Sequence, residues 1–211
     1  MRRFAKLLSL AAFLALAGCS LAEDVTPPSG LPAGQPVRPA SVGEPTAAPP
    51  TSEPNVASGA AIYADRCAAC HGPSGLGDGA QSANLPVAPA RLGDPSVARS
   101  ASLVDWYQMV TVGNLDRFMP GFQSLNDQQR WDVAAYALTL SSTPDEIERG
   151  REIYDANNCA DCHTAGGPAS ALSAARLAGR SGEEIFEAIT AGAASGEMPA
   201  FGESLSDDER W

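Results

Sequence analysis

Two pentapeptides concentrate the chemistry of this chain: Cys67-Ala-Ala-Cys70-His71 and, further along, Cys159-Ala-Asp-Cys162-His163. Together they hold both histidines and four of the five cysteines. Two thiols at this spacing can each add to one of a porphyrin's two vinyl groups, and a histidine directly after the second presents a ring nitrogen to the iron. The pattern therefore reads as covalent attachment of a c-type haem. Two such segments imply two haem c groups, attached through Cys67, Cys70, Cys159 and Cys162, with His71 and His163 as iron ligands. The same residues could instead form a thiol redox pair or a zinc site. A zinc at each pentapeptide wants a fourth ligand, and the chain has no spare histidine and one spare cysteine to offer. One zinc shared by both segments would draw them together and leave ligands idle.

The elements that must position these residues are themselves duplicated. Gly59-Ala-Ala-Ile62-Tyr63 precedes the first pentapeptide and Gly150-Arg-Glu-Ile153-Tyr154 the second. Downstream, Met119-Pro-Gly-Phe122 matches Met198-Pro-Ala-Phe201, and Leu125-Asn-Asp-Gln-Gln-Arg-Trp131 matches Leu205-Ser-Asp-Asp-Glu-Arg-Trp211, in the same order. The repeat predicts two tandem domains, 57–141 and 142–211. Thr143-Pro144-Asp145-Glu146 reads as a capping box with proline in the first turn, so a helix should run to about Asn157 and deliver Cys159 at its end. The matching helix of the first copy should start near Ser58. Asn126 with Gln129 and Ser206 with Glu209 are further cap pairs, and Ser102–Val112 and Gly182–Ala191 carry apolar residues at helical spacing. Met109 is expected in the core with Trp106 and Val110. No segment reads as a strand, so the expected fold class is all-α.

The ends of the chain speak of export. Arg2, Arg3 and Lys6 followed by the short apolar run Leu7–Ala17 form a signal peptide over 1–18, too short to span a bilayer. Leu16-Ala17-Gly18-Cys19 resembles the lipobox of bacterial lipoproteins, which makes Cys19 the lipidated first residue of the mature chain and the membrane anchor. Residues 19–56 are rich in proline, alanine, glycine and serine and offer almost no large apolar side chain. They read as a disordered tether reaching at most about 100 Å. The protein is thus expected outside the cytoplasm, on the outer face of the cytoplasmic membrane or in the periplasm.

Charge limits the partners. The chain carries −11, its only lysine is Lys6, and loss of 1–18 makes the mature protein three charges more negative. Haem propionates add to this. Such a surface repels nucleic acid and cannot offer a lysine ring, so redox partners should be basic or apolar at the contact.

Taken together, the pentapeptide after a short helix, a Met-Pro pair well downstream and a terminal helix bearing aromatics resemble the class I c-type cytochromes in their di-haem, two-domain form. The resemblance covers almost everything from Gly59 onward. It implies two small helical domains, each folded around one covalent haem that substitutes for much of the core. It also implies Met119 and Met198 as the second iron ligands opposite His71 and His163, and a backbone carbonyl at Pro89 orienting His71. Gly59 and Gly150 should mark close helix crossings, with Tyr63, Trp131 and Tyr136 packed at the first. Arg91 or Arg117 would face a propionate or solvent. An iron with both axial positions filled changes charge without binding substrate, so the implied function is electron transfer in a respiratory chain, with no small-molecule substrate. The other readings are the electron-entry module of a dehydrogenase, a di-haem peroxidase, or a haem-based redox or gas sensor. After Trp211 the second copy lacks the counterpart of Asp132–Leu140, so its last helix is expected to be incomplete and the chain a fragment of a longer protein.

Overall fold

In the computed structural model, which describes residues 47–167, 169 and 171–211, helices form wherever a polar cap precedes an apolar face. The signal peptide, Cys19 and most of the tether lie outside the described residues. The first half contains α1 (Val56–Arg66), α2 (Ala68–His71), α3 (Pro95–Ser100), α4 (Leu103–Val112) and α5 (Asp127–Thr139). The second contains α6 (Pro144–Ala156), α7 (Ala160–His163), α8 (Ala174–Leu177), α9 (Gly182–Ala191) and α10 (Asp207–Arg210). Among the described residues there is no strand, only two isolated bridges, so the fold is all-α. No helix among them is long and apolar enough to cross a membrane.

Reciprocal capping boxes start α4 (Ser102 with Asp105), α5 (Asn126 with Gln129), α6 (Thr143 with Glu146), α9 (Ser181 with Glu184) and α10 (Ser206 with Glu209). Each satisfies backbone N–H groups that a helix start leaves without intrahelical partners. α1 begins at Val56, two residues before Ser58, because the cap is Asn55, whose side chain accepts from the Ser58 N–H at 2.9 Å.

The first half closes on the crossing of α1 with α5, its most extensive helix contact. Gly59 permits it: a Cβ there would lie 2.0 Å from the Asp132 carbonyl oxygen. The buried Asp132 carboxylate ties the two helices further, accepting from the Asn55 N–H and from Gln128 Nε2, both at 2.8 Å. Tyr63 packs on Tyr136 at the crossing, ring centroids 5.3 Å apart. Trp131 does not join them. It stacks on Tyr107 of α4 at 3.9 Å and belongs to a second cluster with Ala98, Trp106, Ala134 and Ala137. Met109 is 42 % exposed, against the expectation of a core position, because the buried arc of α4 runs through Trp106, Tyr107 and Val110 and leaves it to one side.

The second half repeats this framework with less burial. Phe186 stacks on Trp211 at 4.5 Å as Tyr107 does on Trp131, and Arg210 lies over Phe186 as Arg130 lies over Tyr107. Helices α6 to α10 contain no buried residue, and Gly150 has nothing within 4 Å of where a Cβ would stand, so it marks no close crossing. The halves meet through α3 and α9: the Val104 N–H donates to the Ala178 carbonyl at 2.8 Å, Ser102 bridges Ser181, and Arg99 lies 4.0 Å above the Trp211 ring.

Candidate haem-binding sites

Each pentapeptide occupies one short helical turn at the end of a longer helix. α1 ends at Arg66, and its last carbonyls take the Cys67 N–H (to Tyr63, 2.9 Å), so Cys67 starts the turn that carries Cys70 and His71. The His71 N–H closes that turn on the Cys67 carbonyl at 2.9 Å, and the His163 N–H does the same on Cys159 at 2.9 Å. This fold brings both thiols and the imidazole of a motif into one turn, as attachment to a single rigid ring requires. Tyr63 fastens the first turn from behind: its buried hydroxyl donates to the Gly72 carbonyl at 2.8 Å, and burial moves its ionisation upward.

His71 Nδ1 lies 3.0 Å from the Ala90 carbonyl oxygen. A carbonyl only accepts, so Nδ1 carries the proton and Nε2 keeps its lone pair for a metal. Burial lowers the imidazole's pKa, partly offset by this hydrogen bond, which keeps the ring neutral as a ligand must be. The orienting carbonyl comes from Ala90, one residue beyond Pro89; the Pro89 carbonyl faces Gly77 instead. Arg91 pairs with Asp94 at 3.7 Å, and Arg117 Nη2 reaches the Ala88 carbonyl at 3.5 Å.

The thiols are poor candidates for redox exchange. Burial, with the neighbouring Cys70 adding to it, pushes Cys67 up to about 11, and burial raises Cys159 as well. A reactive thiol pair depends on the opposite shift. Among the described residues no three or more His, Cys, Asp or Glu side chains are grouped as metal ligands.

The methionines are delivered by a loop that the sequence reading passed over. α4 and α9 both end at a glycine of positive φ, Gly113 (+76°) and Gly192 (+74°), where a Cβ would come within 2.6 and 2.5 Å of the Met119 and Met198 carbonyl oxygens. From each glycine the chain loops out and returns. The Asn114 N–H donates to the Met119 carbonyl at 2.8 Å and the Ala193 N–H to the Met198 carbonyl at 2.9 Å. The Phe122 and Phe201 N–H groups then pair with Val110 and Ile189. The signal was available: a glycine stands at the same distance before Met-Pro in both copies.

In the second half Cys159, His163 and Met198 line one cavity of about 440 Å³, whose walls are Ile153, Leu177, Ile185, Ile189, Phe201 and Leu205. Its size and apolar lining suit a flat hydrophobic cofactor, for which pockets of roughly 300–1,000 Å³ are usual. Cys162 is exposed on the same turn. A larger groove of about 710 Å³, lined among others by Ala98, Leu138, Ile147, Phe186 and Trp211, contains none of the motif cysteines or histidines. The first half brings Cys67 into the cluster of Tyr63, Val110, Phe122 and Leu125, and holds Met119 on the equivalent loop.

Comparison with known proteins bears on the same residues. A family model described as cytochrome c oxidase, cbb3-type, subunit III matches residues 54–136 and 145–211. The cbb3-type cytochrome c oxidase subunit FixP of Sinorhizobium medicae is 30% identical over 137 residues, 59% of this chain and 44% of that protein, so this chain spans less than half of its relative's length. The Kuenenia stuttgartiensis reducing HAO-like protein complex aligns over 76% of this chain and 94% of its own at 23% identity and a TM-score of 0.37, a likeness too slight to carry an argument.

Proposed function

Because the chain belongs to the family described as cytochrome c oxidase, cbb3-type, subunit III, we propose that it carries electrons through two covalent haems, one in each half. His71 and Met119 hold the first iron, in residues 57–141, and His163 and Met198 hold the second, in residues 142–211. The observation that carries this reading is the convergence of Cys159, His163 and Met198 on one apolar cavity, together with a loop of the same geometry behind Met119. Bound haem supplies one-electron chemistry. The protein's residues do the rest: the cysteines fix the ring, His71 is turned and kept neutral by Ala90 and burial, and each glycine-anchored loop holds its methionine. Held by a histidine and a methionine, the iron would favour its reduced form and would have no position open to substrate.

The FixP relative's description places it in a cbb3-type cytochrome c oxidase, and delivery of electrons to such an oxidase is the role proposed for this chain. Lipidated Cys19 would hold the protein to the membrane, with 19–56 as tether. Carbon monoxide tests the carrier reading against a peroxidase or a sensor. The reduced holoprotein should bind little, whereas stoichiometric binding at one haem would show an open iron and sink the proposal.

A further inference from the structure

The cavity that gathers Cys159, His163 and Met198 is walled mainly by apolar side chains, and four charged ones join its lining: Arg180, Glu184, Glu209 and Arg210. Three of these are engaged elsewhere. Glu184 accepts the Ser181 N–H at 2.9 Å, and Glu209 accepts the Ser206 N–H at 2.9 Å and the Ser206 hydroxyl at 2.8 Å, each at the start of its own helix. Arg210 donates to Thr190 Oγ1 at 2.6 Å, pairs with Asp207 and lies over the Phe186 ring. Arg180 stands apart: among the described residues its guanidinium makes no ion pair and no hydrogen bond. A haem in this cavity brings two propionate carboxylates, and a carboxylate beside apolar walls is costly unless a cation or water meets it. The uncommitted cation of the lining is the one that can.

We propose that Arg180 is the counter-ion of a propionate of the second haem and raises that haem's reduction potential above what the repeat alone would give it. This rests on the reading of His163 and Met198 as ligands of a haem in this cavity. The chain fixes the arginine's place. It directly precedes Ser181, the cap of α9, and its backbone N–H is held on the Leu177 carbonyl at 2.8 Å; Leu177 and Ile185, on either side of it in sequence, line the same cavity. A guanidinium is planar and always charged, and its paired N–H donors match a carboxylate. A fixed positive charge near the iron favours the state that holds the extra electron, and it offsets a propionate that favours the oxidised one. The first half differs at this point, because the residue before its matching cap, Ser102, is Ala101. Its arginines at 91 and 117 turn to Asp94 and to the Ala88 carbonyl. The contribution of Arg180 therefore belongs to one haem alone and sets two otherwise similar sites apart in potential.

The test is a spectroelectrochemical titration of the full holoprotein, in which each haem gives one wave. Met198→His identifies the second haem's wave by displacing it. Arg180→Gln should lower that wave by about tenfold in the reduction equilibrium, about 59 mV for one electron, and leave the other wave in place. Arg180→Lys keeps the charge without the fork and should restore most of the loss. Arg176→Gln removes the same charge four residues away, from a side chain outside the cavity lining, and should match the parent. Equal shifts in Arg180→Gln and Arg176→Gln would overturn the proposal, because a charge acting only at long range would move the wave alike from either position. A shift of the first haem's wave alone would overturn it too. The haem reading is judged separately, from covalent haem counted in the parent. One haem per chain would overturn both, whereas two haems with both waves unmoved in Arg180→Gln would remove the arginine's role and leave the carrier reading standing.

Discussion

At the scale of single residues, the proposal assigns the first iron to His71 and to Met119 at the end of the glycine-anchored loop. Replacing Met119 with histidine should lower the potential of one haem and abolish about half of the far-red ferric absorption, because nitrogen favours the oxidised iron more than thioether sulfur does. A redox titration with both waves unmoved would remove Met119 from the coordination sphere. Phe118 stands in the left-handed region, φ 61°; Phe118→Gly relieves that strain of about 1–2 kcal/mol and adds about 0.5–1 kcal/mol of unfolded-chain entropy. Its melting temperature should therefore hold or rise slightly; a drop of many degrees would mean that the ring is a packing residue. The candidate cysteines, histidines and methionines could be named from the sequence because their chemistry is specific to their side chains. The Ala90 carbonyl was not, because every residue carries a carbonyl and only the fold decides which one meets Nδ1.

At the scale of elements, the two matched glycines of the repeat have opposite surroundings. Gly59→Ala drives a methyl group into the Asp132 backbone and should destabilise the protein by several kcal/mol, at about 3 or more. Gly150→Ala meets nothing and should stabilise the 211-residue chain by about 0.5–1 kcal/mol through helix propensity alone. Equal losses in thermal melts of the two variants would show that α6 packs as α1 does. The caps make a second prediction. Hydrogen bonds from the Thr143 backbone N–H, and then from its hydroxyl, hold Glu146 below its ordinary 4.5, while the Tyr107 hydroxyl, then Arg130, holds Asp127 below 3.8. A lowered folded pKa stabilises above the ordinary value, and that contribution fades as pH falls through it. Amide exchange in the first turn of α6 should therefore quicken, relative to the intrinsic rate, below about pH 4.5. In Glu146→Gln this extra dependence should vanish, and its persistence would remove the cap as the cause. Helix starts were readable because caps have a residue signature. The burial of Met109 was not, since helical spacing fixes which residues share a face and not how wide the buried arc is.

At the scale of the whole molecule, the halves share a framework and differ in core. The first buries Tyr63, Trp131, Val133 and Ala134 in side-chain clusters, whereas among the described residues of the second the buried apolar one is Ala178, at the contact with the first half. Hydrogen exchange on the intact holoprotein should protect α1 and α5 most and α6 to α10 least, and the second half should depend more on its haem for protection. Equal protection in both halves would show that the second has a core of its own. The duplicated layout was legible because repeated blocks keep their order. The unequal cores were not, because burial depends on what each helix meets.

The central claim is that one protein holds two covalent haems, each between a histidine and a methionine. Its most direct test is the optical spectrum of the holoprotein, oxidised and reduced, with covalent haem counted against protein mass. Two haems per chain, low-spin bands and the far-red ferric band at two-haem intensity are the expected result. A single haem per chain, or one high-spin centre in the reduced protein, would contradict it.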